Sequence, residues 1–468
     1  MTPREQAIQF HDQGLMNVNS DPHLSYKMLV SACEVDPSFA GAWYAMGNSN
    51  AEFNLLASAV ACYRRTMELP TGSENGDRNE ELTVKALINI GHRLYHSGKL
   101  VEAEDFTRRA LSRDPKASYG LVNLSMLESL KGNNKECLRL ARLAYDLDQA
   151  PVIALALAFA LLFDGQYIEG LKYFESRFPY KQQLQQFAHY PYPRWLGQND
   201  NSDGKPGTLY IVGEQGIGDS LSFMRFIPTS AARVGKVVFG VQREIVRICQ
   251  AVLPRNVDVL AIPHAFPAAD WWCPIVSLPV ALGLSDEEFK NAPGLKFPPY
   301  QIPAPWLAKD KFNIGIAWAG SKMNDIDKWR SIPLDQFLEL YKVPGIQLYS
   351  LQVGDNANDV HNIGAATLIR DLSPIIRDAA DTAAIINHLD LVISIESFVG
   401  HLCGAMGKEC WIPYAYNGGD YRCGRQGDKP LWYANTRLFR QGRDAKWEPV
   451  FDKMITALRA RLTRGKKS

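Results

Sequence analysis

The chain of 468 residues has eight cysteines but no CxxC pair, almost no net charge, and no apolar run long enough to cross a bilayer. Scattered cysteines without paired spacing exclude a secreted disulfide framework and fit a reducing compartment. Lys+Arg 51 against Asp+Glu 50 leaves a formal charge of +1. That balance gives no global field for nucleic acid or an anionic membrane, so no nucleic-acid partner is expected and any anion must be met locally. The longest apolar run, Val152 to Phe163, falls short of the ~20 residues that span a membrane and reads as a buried helix. The opening MTPREQAIQFHDQGL has no basic region leading into an apolar core, so a cytoplasmic location is expected. The basic ending RARLTRGKKS reads as a solvated helix end. Bulk disorder is excluded by 46% hydrophobic and 22% charged residues, and the length predicts roughly two to four domains.

Up to about residue 178, Pro and Gly are sparse and apolar residues recur at helical spacing between Asp-Pro stops such as Asp36-Pro37 and Asp114-Pro115. Asp114 and Asp148, the aspartate of AYDLDQAP, stand 34 residues apart, and these units resemble tetratricopeptide repeats. Each unit is a helix, a short turn holding Gly98 or Gly165, and a second helix, with about five units by this pattern. Ala42, Ala45 and Gly47 sit where paired helices cross closely, with Ala61 expected in the partner helix. Thr71 to Glu80, polar and Gly-rich, reads as an inserted loop. A stack of such units leaves a concave surface for a protein partner. His92 and His96 lie at i, i+4 and read as surface histidines in the absence of a third ligand at matching spacing.

The stretch 181–207 turns to Gln, Tyr, Pro and Gly and reads as a linker. Beyond it, TLYIVG, KVVFGV, VDVLAI, FNIGIAWAG, IQLYSLQ, LDLVISI and ECWIPYA alternate with helical segments, which predicts parallel sheets with helices on both faces. Pro298 to Trp306 divides the series. The expected organisation is a helical repeat domain over 1–180, a linker over 181–207, and two doubly wound lobes over 208–300 and 308–468. The fold class is thus α followed by α/β, with ligands beyond the carboxyl ends of the strands.

Strand TLYIVG runs into Glu214-Gln215-Gly216-Ile217-Gly218-Asp219 and then a helix. Gly216 and Gly218 allow a tight turn and close approach of a ligand to the backbone. The spacing matches neither a Walker loop nor GxGxxG. Asp219 has two readings, a helix cap or a general base that takes a proton from an acceptor hydroxyl.

GEQGIGDSLSFMRFIP, WAGSKMNDIDKWRSIPL and DLVISIESFVGHLCGAMGK together resemble the heptosyltransferase-like C-terminal region of bacterial tetratricopeptide-repeat glycosyltransferases. The resemblance extends over nearly the whole chain and is more distant to the O-linked N-acetylglucosamine transferases. It implies a GT-B pair of Rossmann-like lobes, with a nucleotide sugar held chiefly by the second lobe and the acceptor approaching from the first. It also implies transfer to a protein or glycan hydroxyl without metal or other cofactor, and inversion at the sugar. Asp219 matches the presumed base. Lys328 and Arg330 match a basic pair that would neutralise the leaving diphosphate. Glu396, Ser397, Gly400 and His401 match a helix start that would hold the donor.

Two residues depart from the family pattern: Glu396 stands where it has Asp, and Phe398 where it has a small residue. Phe398 keeps open the alternative of a catalytically inactive scaffold that binds a protein partner. Asp325-Ile326-Asp327 has the DxD spacing of a different, metal-using glycosyltransferase fold and is not expected to hold a metal here. His401, Cys403, Cys410 and Cys423 lack the paired spacing of a zinc site. The Gly-, Arg- and aromatic-rich tail matches the family at Trp432-Tyr433, Leu438 to Gln441 and Trp447. Its aromatics can stack on a base or pack the closing helix, and its Arg can reach a phosphate.

Overall fold

The computed structural model describes residues 1–69, 76–180, 190–198, 207–214, 216–262, 266–298, 304–322 and 326–465. The described parts form two compact units, Met1–Ala160 and Leu161–Ser468.

The first unit is built of helix pairs: α1 (Pro3–Asn17) with α2 (Pro22–Val35), α3 (Ala40–Glu52) with α4 (Leu56–Glu68), α5 (Gly76–His96) with α6 (Leu100–Arg113), and α7 (Ser118–Leu130) with α8 (Asn134–Leu147). The Asp stops work the same way each time. The backbone N–H of Asp36, Asp114 and Asp148 donates to the carbonyl of Ala32, Ala110 and Ala144, closing α2, α6 and α8. Each aspartate carboxylate then accepts from the N–H two residues on, at 2.9 Å in all three, which turns the chain out of the helix. The three alanines are fully buried. Turns inside the pairs use the left-handed region at Asn54, Gly98 and Gly132, with φ of 56°, 79° and 78°, where glycine or asparagine carries little strain.

Small residues set how closely the pairs pack. A Cβ on Gly47 would meet Tyr63 Cε1 at 2.5 Å, and one on Gly91 would meet Thr107 Oγ1 at 2.6 Å. Ala61, expected in that contact, is exposed; buried Ala59 and Tyr63 take the place, one turn-face away on α4. Asn89 links successive pairs, donating to Asn48 Oδ1 at 3.0 Å and to the Tyr44 hydroxyl at 3.2 Å, and Asn123 donates to the Ile88 carbonyl at 2.9 Å. Of the expected loop from Thr71 to Glu80, the first five residues lie outside the described ones. From Gly76 on, the chain is already helical. Glu80 pairs with Arg113 of α6 at the surface, and burial of Val84, Leu87, Ile90 and Leu94 farther along the same helix overrides the weak helix propensity of the stretch. His92 and His96 face each other with Nε2 atoms 3.1 Å apart, and burial together with its neighbour holds His92 down at about 3.

The division at Ala160 falls within α9 (Pro151–Asp164), ahead of position 180. This helix carries the long apolar run, and most of its residues are buried. Its turn at Gly165, φ 83°, leads to α10 (Tyr167–Phe174) and α11 (Arg177–Tyr180). No helix among the described residues is long and apolar enough to cross a membrane.

The second unit holds two all-parallel sheets. The first contains β1 (Thr208–Val212), β2 (Lys236–Gln242), β3 (Val257–Ile262) and β4 (Trp271–Pro274), in the order β3-β2-β1-β4. The second contains β5 (Phe312–Ala317), β6 (Ile346–Ser350), β7 (Ile369–Asp371), β8 (Leu391–Ser394), β9 (Cys410–Tyr414) and β10 (Thr436–Arg440), in the order β10-β9-β8-β5-β6-β7. In each sheet the chain winds outward from its first strand and then crosses back to that strand's other side. The order therefore reverses between β1 and β4 and between β5 and β8, and in such sheets ligands bind beyond the carboxyl ends at the reversal. Continuous apolar strands such as β8, buried throughout, are what a sheet covered on both faces requires. The larger core packs β5, β6 and β8 against the closing helix Glu448–Gly465 through Phe451, Met454 and Leu458. Trp447 packs on this core.

Candidate functional site

β1 ends at a turn whose carboxylates have different tasks. Glu214 is fully buried and receives both Nε and Nη2 of Arg177 at 2.8 and 2.7 Å, while Ser277, Glu175 and the Phe174 carbonyl also accept from the guanidinium. Arg177 and Arg194 hold the Glu175 carboxyl below its usual range against the effect of burial. A buried, doubly hydrogen-bonded ion pair of this kind fixes the position of a turn more than it adds stability. Past Gln215, outside the described residues, Gly216 is the N-cap of α12 (Ile217–Phe223), and its N–H donates to Asp219 Oδ2 at 3.2 Å. Asp219 thus caps the turn and has one oxygen left for another partner.

That partner is Arg422, whose Nη2 donates to Asp219 Oδ1 at 2.5 Å. Arg422 follows β9 in the Gly-rich tail, on a short turn capped by Asp420, and its Nη1 also pairs with Asp420. The Arg422 side chain is 3% exposed and lies over the faces of Tyr421, Trp432 and Phe223 at 4.9 to 5.6 Å, where cation–π attraction adds to the ion pairs. Burial alone would raise the Asp219 carboxyl; the Arg422 charge and hydrogen bond reverse that and hold it below the usual aspartate range.

The helix Phe398–Met406, which follows β8, meets α12 directly. A Cβ on Gly218 would come within 2.5 Å of His401 Cδ2, so this glycine is required for the close approach of ring and backbone. His401 Nδ1 lies 3.1 Å from the Tyr433 hydroxyl, which is 2.8 Å from Ser222 Oγ, and His401 Nε2 lies 3.6 Å from Asp420. Burial first, then the Arg422 charge, lowers His401 to about 4, so the ring is neutral at pH 7. Glu396 is buried beside it. Desolvation, reinforced by Asp420, raises its carboxyl to about 8 despite Arg330, which leaves a neutral acid able to donate a hydrogen bond at pH 7.

The turn beyond β5 supplies Lys328 and Arg330. Gly320 at its start makes room for Arg330, since a Cβ there would meet Arg330 Nη2 at 2.6 Å. Arg330 donates to the Glu396 carbonyl at 2.8 Å and to Asp327 Oδ1 at 3.2 Å. Arg330, expected on a diphosphate, is therefore already engaged by an acid and a carbonyl. Lys328 is exposed, with Nζ 5.1 Å from the Trp329 ring centre. Asp327 accepts from Arg330 and Ser331; Asp325, the other half of the DxD pair, lies outside the described residues. Ser397 stands at the N-cap position without a side-chain capping bond, its hydroxyl 3.1 Å from Ser394 Oγ, Phe398 is half-buried, and Gly400 packs on Ile412 of β9.

The structure thus brings Gly218, Asp219, Arg330, Glu396 and His401 to one place, and adds Asp420, Arg422, Ser222 and Tyr433. Arg422 was visible in sequence only as one arginine of a Gly- and Arg-rich tail; its Asp-Tyr-Arg spacing was the available signal. Glu396, His401 and Asp420 have ligand atoms within 4.8 Å of one another, the geometry of a cation site. Arg422 on Asp420 and Arg330 beside Glu396 already bring positive charge to these acids. Cys403, Cys410 and Cys423 are buried free thiols outside this group. Trp432 packs among Phe223, Phe289 and Tyr167, at 4.9 to 6.0 Å between ring centres.

No protein-family model matches the chain. It is 25% identical over 406 residues to Protein FlbA of Caulobacter vibrioides, an alignment that takes in 80% of this chain and 65% of FlbA. Among solved structures, Pseudomonas aeruginosa PilF aligns with 37% of this chain and 76% of its own at 20% identity and a TM-score of 0.31. TTC0263, a thermophilic TPR protein of Thermus thermophilus, aligns with 39% of this chain and 96% of its own at 17% identity and a TM-score of 0.32. YrrB, a TPR protein with an unusual peptide-binding site, aligns over 39% and 92% at 15% identity and a TM-score of 0.27.

Proposed function

We propose that the sheet-bearing unit transfers a sugar from a nucleotide sugar to a hydroxyl acceptor and that the helical repeats recruit the acceptor protein. The supporting observation is the convergence of groups from the reversal points of both sheets, the Asp219 turn after β1 and the Arg330 and Glu396 turns after β5 and β8, linked by Arg422 on Asp219 and Asp420 and by Asp420 beside Glu396. Titratable groups driven apart in pKa, with Asp219 held ionised and Glu396 held neutral at pH 7, are the usual sign of acid and base roles. In this reading Asp219 takes the acceptor proton, neutral Glu396 donates to a sugar or phosphate oxygen, and Lys328 offsets the charge on the leaving diphosphate. Arg330, paired with Asp327, and Arg422, paired with Asp219 and Asp420, hold these groups in place. Stacked helical repeats present the surface that such arrays use for protein partners.

A second reading is favoured by one observation. Gly218 packs on His401 where the donor was expected, and Asp219 is paired with Arg422, as a scaffold with a closed interface would be. Calorimetric titration with a panel of nucleotide sugars, followed by transfer assays on Asp219→Asn and Lys328→Ala, separates the two. Heat with at least one donor and turnover reduced 100-fold or more by Asp219→Asn supports the enzyme; no heat from any donor supports the scaffold.

A further inference from the structure

A cavity of about 220 Å³ lies beside the site, bounded by residues of α12 and its continuation, by the segment Gly294 to Phe297, and by Trp432 to Asn435. Leu221, Leu295, Phe297 and Trp432 give it apolar walls; Ser222, Tyr433, Asn435 and Arg225 are its polar residues. Its lining does not include Asp219, Lys328 or Ser397.

Arg225 differs from Arg330 and Arg422. Arg330 and Arg422 are each matched to carboxylates. Arg225 Nη2 donates only to the backbone carbonyls of Ala292 and Lys290, and its buried Nε has no hydrogen-bond partner among the described residues. It forms no ion pair with an acid among those residues. The guanidinium sits 5.9 Å from the Trp432 ring centre, and burial pulls it below the ordinary arginine range. Arg225 is half-buried, and a charge partly withdrawn from water without a counter-charge is less favourable than one paired with an anion. We propose that this cavity binds a small molecule that combines one oxyanion with an apolar face, the oxyanion pairing with Arg225 and the apolar face lying against Trp432 and Phe297. Guanidinium is suited to carboxylate and phosphate alike. A cavity of roughly 150 Å³ accepts benzene, so this one has room for a ring with its charged substituent. The Ser222 and Tyr433 hydroxyls connect the cavity wall to His401, so an occupant would be sensed at the site.

The test is calorimetric titration of the full chain with benzoate, phenyl phosphate and, as the neutral counterpart, benzyl alcohol. Saturable binding of at least one anion is expected, with benzyl alcohol at least tenfold weaker; the preferred anion tells carboxylate from phosphate. Arg225→Gln is expected to weaken the anion tenfold or more. Gly294→Phe provides a variant independent of the arginine: Gly294 lines the cavity and a Cβ there meets no heavy atom within 4 Å, so the added ring is expected to occupy the cavity and exclude the ligand. Absence of saturable binding to the wild-type chain, equal binding of the alcohol, or unchanged anion affinity in Arg225→Gln overturns the proposal. If Arg225→Gln does not fold, unchanged affinity in Gly294→Phe overturns it. The readout requires no sugar transfer, so this inference and the transferase reading fail separately.

Discussion

Replacing Arg422 with Met removes a cation shared by Asp219 and Asp420. Side-chain exposures are 3% for Arg422, 8% for Asp420 and 25% for Asp219, so the pair with Asp420 is inside the protein and that with Asp219 is at its edge. Breaking a buried pair by removing one partner costs about 3–5 kcal/mol, mostly from the carboxylate left behind, and most of this is assigned to Asp420. The loss depends on pH in a definite direction. Asp219 has a folded pKa below its unfolded value, so its pairing contributes stability above the unfolded aspartate range of about 3.9, lost as pH falls through the folded value. In the variant that contribution is gone, and protonating the stranded acids relieves their cost. The deficit relative to wild type is therefore expected to be largest near pH 7 and to shrink toward pH 4. Because the chain has two compact units, one unfolding midpoint for the whole protein is not a defined quantity. Denaturant-dependent hydrogen exchange read on peptides from residues 161–468 isolates the relevant unit. Adding Asp420→Asn to the variant should recover part of the loss. A deficit below about 1 kcal/mol at pH 7, or one that grows on acidification, would refute the reasoning.

Gly218→Ala forces a methyl into the His401 ring and is expected to destabilise the second unit by about 1–3 kcal/mol, with recovery in the double variant with His401→Ala, read by the same exchange experiment. Glu396 has a folded pKa of about 8, above its unfolded value, so wild type loses stability as pH rises from the unfolded glutamate range of about 4.3 toward 8. Glu396→Gln should escape that loss, and a stability difference that stays flat over this range would contradict the assignment. In the first unit, Gly47→Ala meets the Tyr63 ring and should cost about 1–3 kcal/mol in exchange protection of α3 and α4, while residues 161–468 keep their protection.

Regular features were the ones legible in sequence. The repeat was visible because its stops are chemical: an aspartate that both ends a helix and holds the next turn leaves a 34-residue spacing in the sequence. Seven strands were visible as apolar runs. β4, β7 and β10 were not: β7 has only three residues, one of them Arg and one Asp, β4 is WWCP and ends in a proline, and β10, TRLFR, carries two arginines. At the site, Asp219, Glu396 and His401 stand next to strand ends and could be found from that position. Asp420 and Arg422 come from a connection with no periodicity, and Arg422 lies 203 residues from Asp219. Only the folded chain makes that pairing, and with it Arg330 proves to be occupied by Asp327 and the Glu396 carbonyl. The polar stretch from Gly76 misled because its own composition does not show that it continues into the buried apolar face of α5, with Val84, Leu87 and Ile90 in the core.

The Arg177 and Glu214 pair decides where the chain can be cut. A fragment begun at the first strand, at Thr208, discards the arginine and strands a carboxylate with no access to water at the root of the turn that carries Asp219. An expression clone of the sheet-bearing portion that is to keep its geometry therefore has to start upstream of residue 177 and carry the last helices of the α-helical region with it.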